Sequence, residues 1–245
     1  MRRVLFHWFG RPVHSYPAML YLGTVLGFYA QLYAAVSTGL DAESTLAATL
    51  LLFILALFGA RLLHVVANWP FYRKDPGRVL QFSSGGASMY GGLLLAVPLS
   101  LPLLAALGVP LASFWDTASF TLLIGMIITR VGCFLNGCCA GRPSSGWWGI
   151  NLPDCQGVWR RRVPAQILEM ALGLVVLAGV VLLWGRPSFQ GALFLYTIGA
   201  YGAGRIALES VREEQDRILG MSVHKAISTG FVAISLSAFA IAWLR

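Results

Sequence analysis

Long apolar stretches separated by short polar segments recur along the whole chain. A transmembrane helix needs roughly 20 consecutive, mostly apolar residues, and seven stretches come close to that length. The pattern therefore predicts about seven membrane-spanning helices. Their expected bounds are residues 18–36, 45–67, 90–107, 118–135, 165–184, 189–208 and 221–244.

The composition agrees with that pattern. Of the 245 residues, 57% are hydrophobic and only 11% are charged, whereas a soluble domain has about 25% charged residues. This excludes an ordinary soluble protein and a disordered chain. We predict an all-α, polytopic integral membrane protein with a single membrane domain over residues 1–245. The longest polar connection, residues 136–164, is expected to form an extramembrane insertion between the fourth and fifth helices.

The basic residues are unevenly shared between the two ends of the predicted helices. With seven spans, the N-terminus and the connections 68–89, 136–164 and 209–220 face the same side, and the positive-inside rule alone makes that side cytoplasmic. The net charge of +8 indicates an anionic partner, which in a membrane is usually phospholipid. The basic residues on that side are Arg2, Arg3, Arg11, Arg73, Lys74, Arg78, Arg142, Arg160, Arg161, Arg162, Arg212 and Arg217.

The first sixteen residues contain three arginines but no long apolar core and no small-residue cleavage site. They are therefore a poor match to a cleaved signal peptide. We expect an amphipathic surface segment, with a disordered basic tail as the alternative.

Charged residues inside apolar spans cost at least about 2.5–3.5 kcal/mol at mid-helix, so each of them needs a reason. Arg205, Glu209 and Arg212 follow the i, i+4, i+7 spacing that places them on one helical face. Either they form a buried ion network between helices, or Glu209 fixes one guanidinium while the other binds a ligand. The charged residues that we single out within the predicted spans or at their ends are Arg61, Arg130, Glu169, Arg205 and Glu209.

Two glycine-rich passages are the best candidates for a binding site. Residues 83–92 form a polar loop that leads into a helix, and its glycines allow close backbone approach to an anion; a flexible turn is the alternative. The second passage, residues 130–141, begins with Arg130, which has no acidic neighbour in sequence. A guanidinium there matches a phosphate with two parallel hydrogen bonds.

The four cysteines do not follow a zinc-binding pattern. Cys133, Cys138, Cys139 and Cys155 lack Cys-x-x-Cys spacing, and no histidine lies near them in sequence, so no metal site is predicted. A disulfide to Cys155 in an oxidising compartment and small buried thiols remain open.

Six short motifs, in order, resemble one bacterial enzyme family, the phosphatidylglycerol–prolipoprotein diacylglyceryl transferases. The chain departs from the family pattern at Pro17, where glycine is usual, and at three positions that bear on the chemistry. Tyr90 replaces a histidine, Cys133 replaces an asparagine, and Cys138 stands where an acidic residue is common. The motifs are His-Ser-Tyr at 14–16, Gly-Ala-Arg at 59–61, the glycine-rich loop at 85–93, the run from Arg130 at 130–137, Pro-Ala-Gln-Ile-Leu-Glu at 164–169, and Tyr-Gly-x-x-Arg with Glu209 and Arg212 at 201–212.

The resemblance implies a reaction and a set of site residues. The thiol of a lipobox cysteine attacks a glyceryl carbon of phosphatidylglycerol, a thioether forms, and glycerol phosphate leaves. The implied catalytic residues are Arg205, Glu209, Tyr90 and Tyr16. The implied substrate-binding residues are Arg130, Asn136, Gly86, Gly91, Arg61 and Arg212.

The resemblance also implies location and partners. The protein is expected in the bacterial cytoplasmic (inner) membrane, with its active site and the loop of residues 136–164 on the periplasmic side, contrary to the positive-inside rule. The expected partners are phosphatidylglycerol, the signal-peptide region of a preprolipoprotein and membrane lipid, with no cofactor and no nucleic acid. A related enzyme with a different acceptor is the main alternative. A transporter or anion channel is less favoured, because we see no inverted repeats.

Overall fold

The computed structural model describes residues 1–73, 75–80, 89–153, 157–212, 217–218 and 221–244. Within these ranges the chain is mostly helical, which confirms the predicted class, and it has three short antiparallel hairpins, one before the first helix and two between later helices. The elements are β1 (Val4–Trp8), β2 (Arg11–His14), α1 (Ser15–Ser37), α2 (Ala42–Ala67), α3 (Trp69–Tyr72), a 3-10 turn (Pro76–Leu80), α4 (Met89–Ala106), α5 (Leu111–Asn136), β3 (Ile150–Pro153), β4 (Trp159–Arg162), α6 (Ala165–Leu183), α7 (Ala192–Glu209), β5 (Arg217–Ile218), β6 (Met221–Ser222) and α8 (Val223–Trp243).

Each of the seven predicted spans corresponds to one long helix. Five of them, α1, α2, α5, α6 and α8, are long and apolar enough to cross a membrane. Helix α4 is apolar but shorter, over Tyr90–Ala106, and continues through Pro98 and Pro102. Helix α7 has 18 residues and contains Arg205 and Glu209. The chain is therefore a polytopic membrane protein, and the count of seven spans stays a prediction.

Small residues let the helices pack closely. Gly59 of α2 faces Gly91 of α4, and a Cβ at Gly59 would lie 2.6 Å from the Cβ of Leu95, while one at Gly91 would lie 2.6 Å from the Cβ of Leu63. Close backbone approach at small residues is the usual means of helix association in membranes. The structure thus gives Gly91 a role in helix packing, and the place in a headgroup pocket that the resemblance implies stays a prediction.

The N-terminal residues form the hairpin β1–β2, so a disordered tail is ruled out. Its two-residue turn, Phe9–Gly10, has φ of 46° and 73°, as a type I′ turn requires. Phe9 is 94% exposed. The backbone N–H of Ser15 donates to the carbonyl of Arg3 at 2.9 Å, which ties the hairpin to the start of α1.

The N-terminal hairpin and two of the predicted same-side connections meet at one end of the helices. The Nε of Arg3 donates to the carbonyl of Asn136 at 3.2 Å, and Gly141 pairs with Arg212 in an antiparallel bridge. Hairpin β3–β4 lies within the connection between α5 and α6. These contacts agree with the predicted arrangement; that the insertion lies outside the membrane stays a prediction.

Candidate active site

A single buried carboxylate joins three arginines. Glu169 lies in the second turn of α6, and its side chain is 1% exposed. Its Oε2 contacts Nη2 of Arg130 from α5, and its Oε1 accepts a hydrogen bond from Nη1 of Arg212 at 2.8 Å. Nη1 of Arg205 from α7 lies 3.7 Å from the same Oε1. A carboxylate buried to this extent needs such cationic partners.

A second carboxylate, that of Glu209, contacts Arg205. Oε2 of Glu209 lies 2.8 Å from Nη1 of Arg205, one helical turn away. Oε1 of Glu209 accepts a hydrogen bond from Oγ of Ser222 at 2.5 Å. Because Ser222 caps the N-terminus of α8, this contact joins the end of α7 to the start of α8.

The arginine cluster, defined here as Arg130, Arg205, Arg212, Glu169 and Glu209, has a net charge of +1. The side chains of Arg130 and Arg212 are 19% and 17% exposed, whereas the other three are at most 5% exposed. The accessible part of the cluster therefore belongs to Arg130 and Arg212. A phosphodiester carries one negative charge, so it matches the cluster in charge and in hydrogen-bond geometry.

The structure changes the interpretation of Arg130. Arg130 has no acidic neighbour in sequence, but the fold brings Glu169 into contact with it. Glu169 was therefore missing from the predicted site. Two sequence signals pointed to it: it ends the Pro-Ala-Gln-Ile-Leu-Glu motif, and it is the single charged residue of α6.

The two predicted tyrosines occupy different places. The Oη of Tyr90 shares a 2.5 Å hydrogen bond with Oγ of Ser228 in α8, and its ring packs against His224 at 5.4 Å between centroids. His224 is a second residue that sequence analysis missed, because it lies far along the chain. Tyr16 is at the start of α1 and lies close to α5. A Cβ atom added to Gly132, two residues after Arg130, would lie 3.2 Å from the Cα of Tyr16.

Two other predicted site residues have structural contacts. The guanidinium of Arg61 donates to the carbonyls of Val79 at 2.9 Å and Arg78 at 2.8 Å, and it lies over the ring of Tyr72. It thereby holds the connection that follows α2, and the implied substrate binding by Arg61 stays a prediction. The carbonyl of Asn136 accepts the bond from Arg3 described above. Gly86 lies outside the described residues.

Three thiols gather where α5 ends. The Sγ atoms of Cys133, Cys138 and Cys139 all lie within 4.8 Å of one another, and all three cysteines are free. Hydrogen bonds from Cys133 and Cys138, together with the charges of Arg130 and Arg212, lower the pKa of the Cys139 thiol. The predicted disulfide partner, Cys155, lies outside the described residues. The sequence analysis predicted no metal site, whereas the structure brings together three sulfur atoms that could bind a metal ion.

A narrow apolar cavity lies between α4, α5, α7 and α8. One of its lining residues, Tyr201, lies one helical turn before Arg205 on α7. The cavity is therefore close to the arginine cluster along α7. Its lining residues are Tyr90, Leu93, Leu122, Leu123, Met126, Thr197, Ile198, Tyr201 and Phe231.

Comparison with known proteins identifies the family of this chain. A family model described as prolipoprotein diacylglyceryl transferase matches residues 3–242. A Finegoldia magna protein named phosphatidylglycerol–prolipoprotein diacylglyceryl transferase is 26% identical over 234 residues, which cover 95% of this chain and 92% of that protein. A protein of the same name from Streptococcus pyogenes serotype M5 is 25% identical over 235 residues, covering 91% of this chain and 88% of that protein. Because the match spans nearly the whole sequence, the chain belongs to the prolipoprotein diacylglyceryl transferase family.

Proposed function

We propose that this membrane enzyme transfers the diacylglyceryl group of phosphatidylglycerol to the cysteine thiol of a prolipoprotein. The observation that carries the proposal is the partly exposed, net cationic arginine cluster, in a chain whose relatives are named for this reaction. The acceptor sulfur forms a bond to a glyceryl carbon, the carbon–oxygen bond to phosphate breaks, and glycerol phosphate leaves with the electron pair. The thiol proton is released.

The leaving group gains negative charge as that bond breaks, so fixed cations near the phosphate stabilise the transition state. In our proposal Arg130, the most exposed arginine of the cluster, binds the phosphodiester. Arg205 stabilises the departing phosphate, and Glu209 orients Arg205 through the 2.8 Å contact. Arg212 assists in holding the phosphate. Glu169 keeps the three guanidiniums converged before the substrate arrives.

The remaining predicted residues have supporting roles in the proposal. Tyr16 and Tyr90 supply hydroxyl groups near the cluster, and Asn136 and Gly86 belong to the headgroup pocket. The cavity lined by Tyr90 and Tyr201 is apolar, but at about 20 Å³ it is too small for a fatty acyl chain of the donor. We place the lipobox segment of the preprolipoprotein signal peptide at the exposed side of Arg130 and Arg212.

We further propose that the site faces the periplasm from the bacterial cytoplasmic membrane. The support is that the hairpin β1–β2, the insertion and the end of α7 meet at the end of the helices where the arginine cluster lies. A site that handles anionic lipid and phosphate needs cations on its own side. This accounts for a basic side that the positive-inside rule alone would make cytoplasmic.

The test uses the purified full chain in detergent with phosphatidylglycerol and a synthetic lipobox peptide. We expect a thioether-linked product, and a loss of at least about a hundredfold in rate for Arg130→Ala and Arg205→Ala, as for the removal of one transition-state donor. Arg186→Ala, at an exposed arginine between α6 and α7, is the matched control and should keep full activity.

Two outcomes would contradict the proposal. Phospholipid binding without a peptide product, whichever lipobox peptide is offered, would favour a different acceptor, which the Tyr90, Cys133 and Cys138 replacements make the main alternative. Anion flux in vesicles without lipid chemistry would instead favour a channel.

A further inference from the structure

The three thiols at the end of α5 converge closely enough to share one ion. Cys133 is buried on the last turn of the helix, and Cys138 and Cys139 are partly exposed in the turn that follows. Their Sγ atoms lie within 4.8 Å of one another. Zinc–sulfur bonds of about 2.3 Å in tetrahedral geometry place two sulfurs about 3.8 Å apart. Small side-chain adjustments therefore suffice to bring all three onto one zinc ion.

The backbone holds the three cysteines together before any ion binds. Helix α5 ends in a Schellman motif: the N–H of Cys138 donates to the carbonyl of Cys133 at 3.1 Å, and the N–H of Gly137 to that of Phe134 at 3.2 Å. Gly137 has φ of 75°, which a glycine adopts without strain. Nε2 of Gln166 donates to the carbonyl of Cys138 at 2.6 Å, which fixes the turn against α6.

Burial and charge favour a bound ion that remains accessible. Cys133 is buried, whereas Cys138 and Cys139 are partly exposed, so an incoming thiol would approach from the side of these two cysteines. Three thiolates and one Zn²⁺ carry a net charge of −1. Arg130, one helical turn before Cys133, places a guanidinium near these thiols, which offsets part of that charge.

We propose that Cys133, Cys138 and Cys139 bind one zinc ion whose fourth coordination position takes the acceptor thiol. This inference rests on the proposed transferase function and supplies the step that the function leaves open, the removal of the thiol proton. Catalytic zinc sites use three protein ligands and an open position, and a thiol that coordinates zinc is deprotonated.

The reaction balances without an oxidant or a reductant. The acceptor thiol releases its proton to water when its sulfur binds the ion. The sulfur then forms the bond to the glyceryl carbon, and the carbon–oxygen bond breaks with its electron pair going to the phosphate. The thioether product is neutral and a weak ligand, so it leaves the ion and the position reopens.

Metal binding is tested first, independently of activity. The full chain, purified in detergent and stripped with a chelator, is titrated with Co²⁺, which substitutes for zinc and reports sulfur ligands by near-ultraviolet charge-transfer absorption. We expect one ion per chain, displacement by Zn²⁺, and loss of the band in Cys133→Ser and Cys139→Ser. Ala140→Ser, which adds a hydroxyl in the same turn and keeps all thiols, is the matched control and should retain the band.

Three results would overturn the proposal. The first is that the wild-type chain shows no charge-transfer absorption from sulfur to Co²⁺. The second is a band that disappears in Cys155→Ser, because a four-sulfur site leaves no position for the acceptor. The third is an absorption spectrum typical of Co²⁺ bound by oxygen and nitrogen ligands alone. The wild-type titration is informative even where a cysteine variant fails to fold.

Transfer activity then separates this inference from the function on which it rests. We expect the stripped chain to lose at least about tenfold in rate and to recover with Zn²⁺ but not with Mg²⁺. Full activity of the stripped chain would overturn the zinc proposal and leave the transferase intact. Activity that survives Cys133→Ser but is lost in His224→Gln would overturn it as well, because proton removal would then belong to the imidazole beside Tyr90.

Discussion

At the scale of single residues, Glu169 is the group that determines the geometry of the site. It contacts two arginines directly and lies 3.7 Å from a third, and it is almost completely buried. Removal of one partner from a buried ion pair leaves uncompensated charge, which is more costly than the loss of a surface pair. The carboxylate therefore contributes to stability as well as to the proposed chemistry.

We predict that Glu169→Gln lowers the free energy of unfolding by about 3–5 kcal/mol, the usual cost of breaking a buried ion pair, and abolishes most transfer activity. Thermal unfolding in detergent and the peptide assay measure the two effects. Glu43→Gln, at an exposed acid in the first turn of α2, is the matched control and should change stability by at most about 1 kcal/mol. Equal effects of the two variants would contradict this reading of Glu169.

The same residues mark the limit of sequence analysis at this scale. The contact between Arg205 and Glu209 could be predicted because the i, i+4 spacing of a helix brings two such side chains together. The contact between Arg130 and Glu169 could not, because it depends on how α5 packs against α6. The convergence of the three thiols was missed for a related reason: it depends on a left-handed turn after α5 rather than on a known ligand spacing.

At the scale of elements, the apolar stretches predicted the seven long helices well, because burial in lipid requires a continuous apolar run. The hairpin β1–β2 was not predicted. Type I′ turns usually contain Asn-Gly or Asp-Gly, and here the turn is Phe9–Gly10. The hairpin β3–β4 is equally hard to predict, because each strand has only four residues.

We predict that Gly91→Ala destabilises the chain by about 1–3 kcal/mol, as overpacking of a close contact does. A Cβ at this position would meet the Cβ of Leu63 at 2.6 Å, so α2 and α4 must separate. The thermal unfolding midpoint in detergent measures the effect. Gly230→Ala, in α8 with nothing within 4 Å of the added Cβ, should leave the midpoint unchanged or slightly higher; a comparable fall in both variants would contradict the packing argument.

At the scale of the whole molecule, orientation depends on the number of spans. An odd number of spans places the two termini on opposite sides, and the contacts among the N-terminal hairpin, the insertion and the end of α7 show that these segments share one end. Sequence alone gave conflicting answers here, because the positive-inside rule counts basic residues without regard to an anionic ligand that they bind.

We predict that a reporter joined after residue 245 is located in the cytoplasm, since seven spans and a periplasmic site place the C-terminal end of α8 there. Paired fusions measure this, one reporter being active only in the cytoplasm and the other only in the periplasm. A periplasmic signal would reverse the proposed orientation or change the number of spans.

The shared carboxylate also affects how mutants of the arginine cluster must be interpreted. Since Oε1 of Glu169 accepts from Arg212 and lies near Arg205, loss of one guanidinium alters the field on the others. Substitutions within one ion network are coupled rather than additive. The energetic contribution of each arginine is therefore defined only through double-mutant cycles, and summed single-mutant effects will misstate the strength with which the cluster binds an anion.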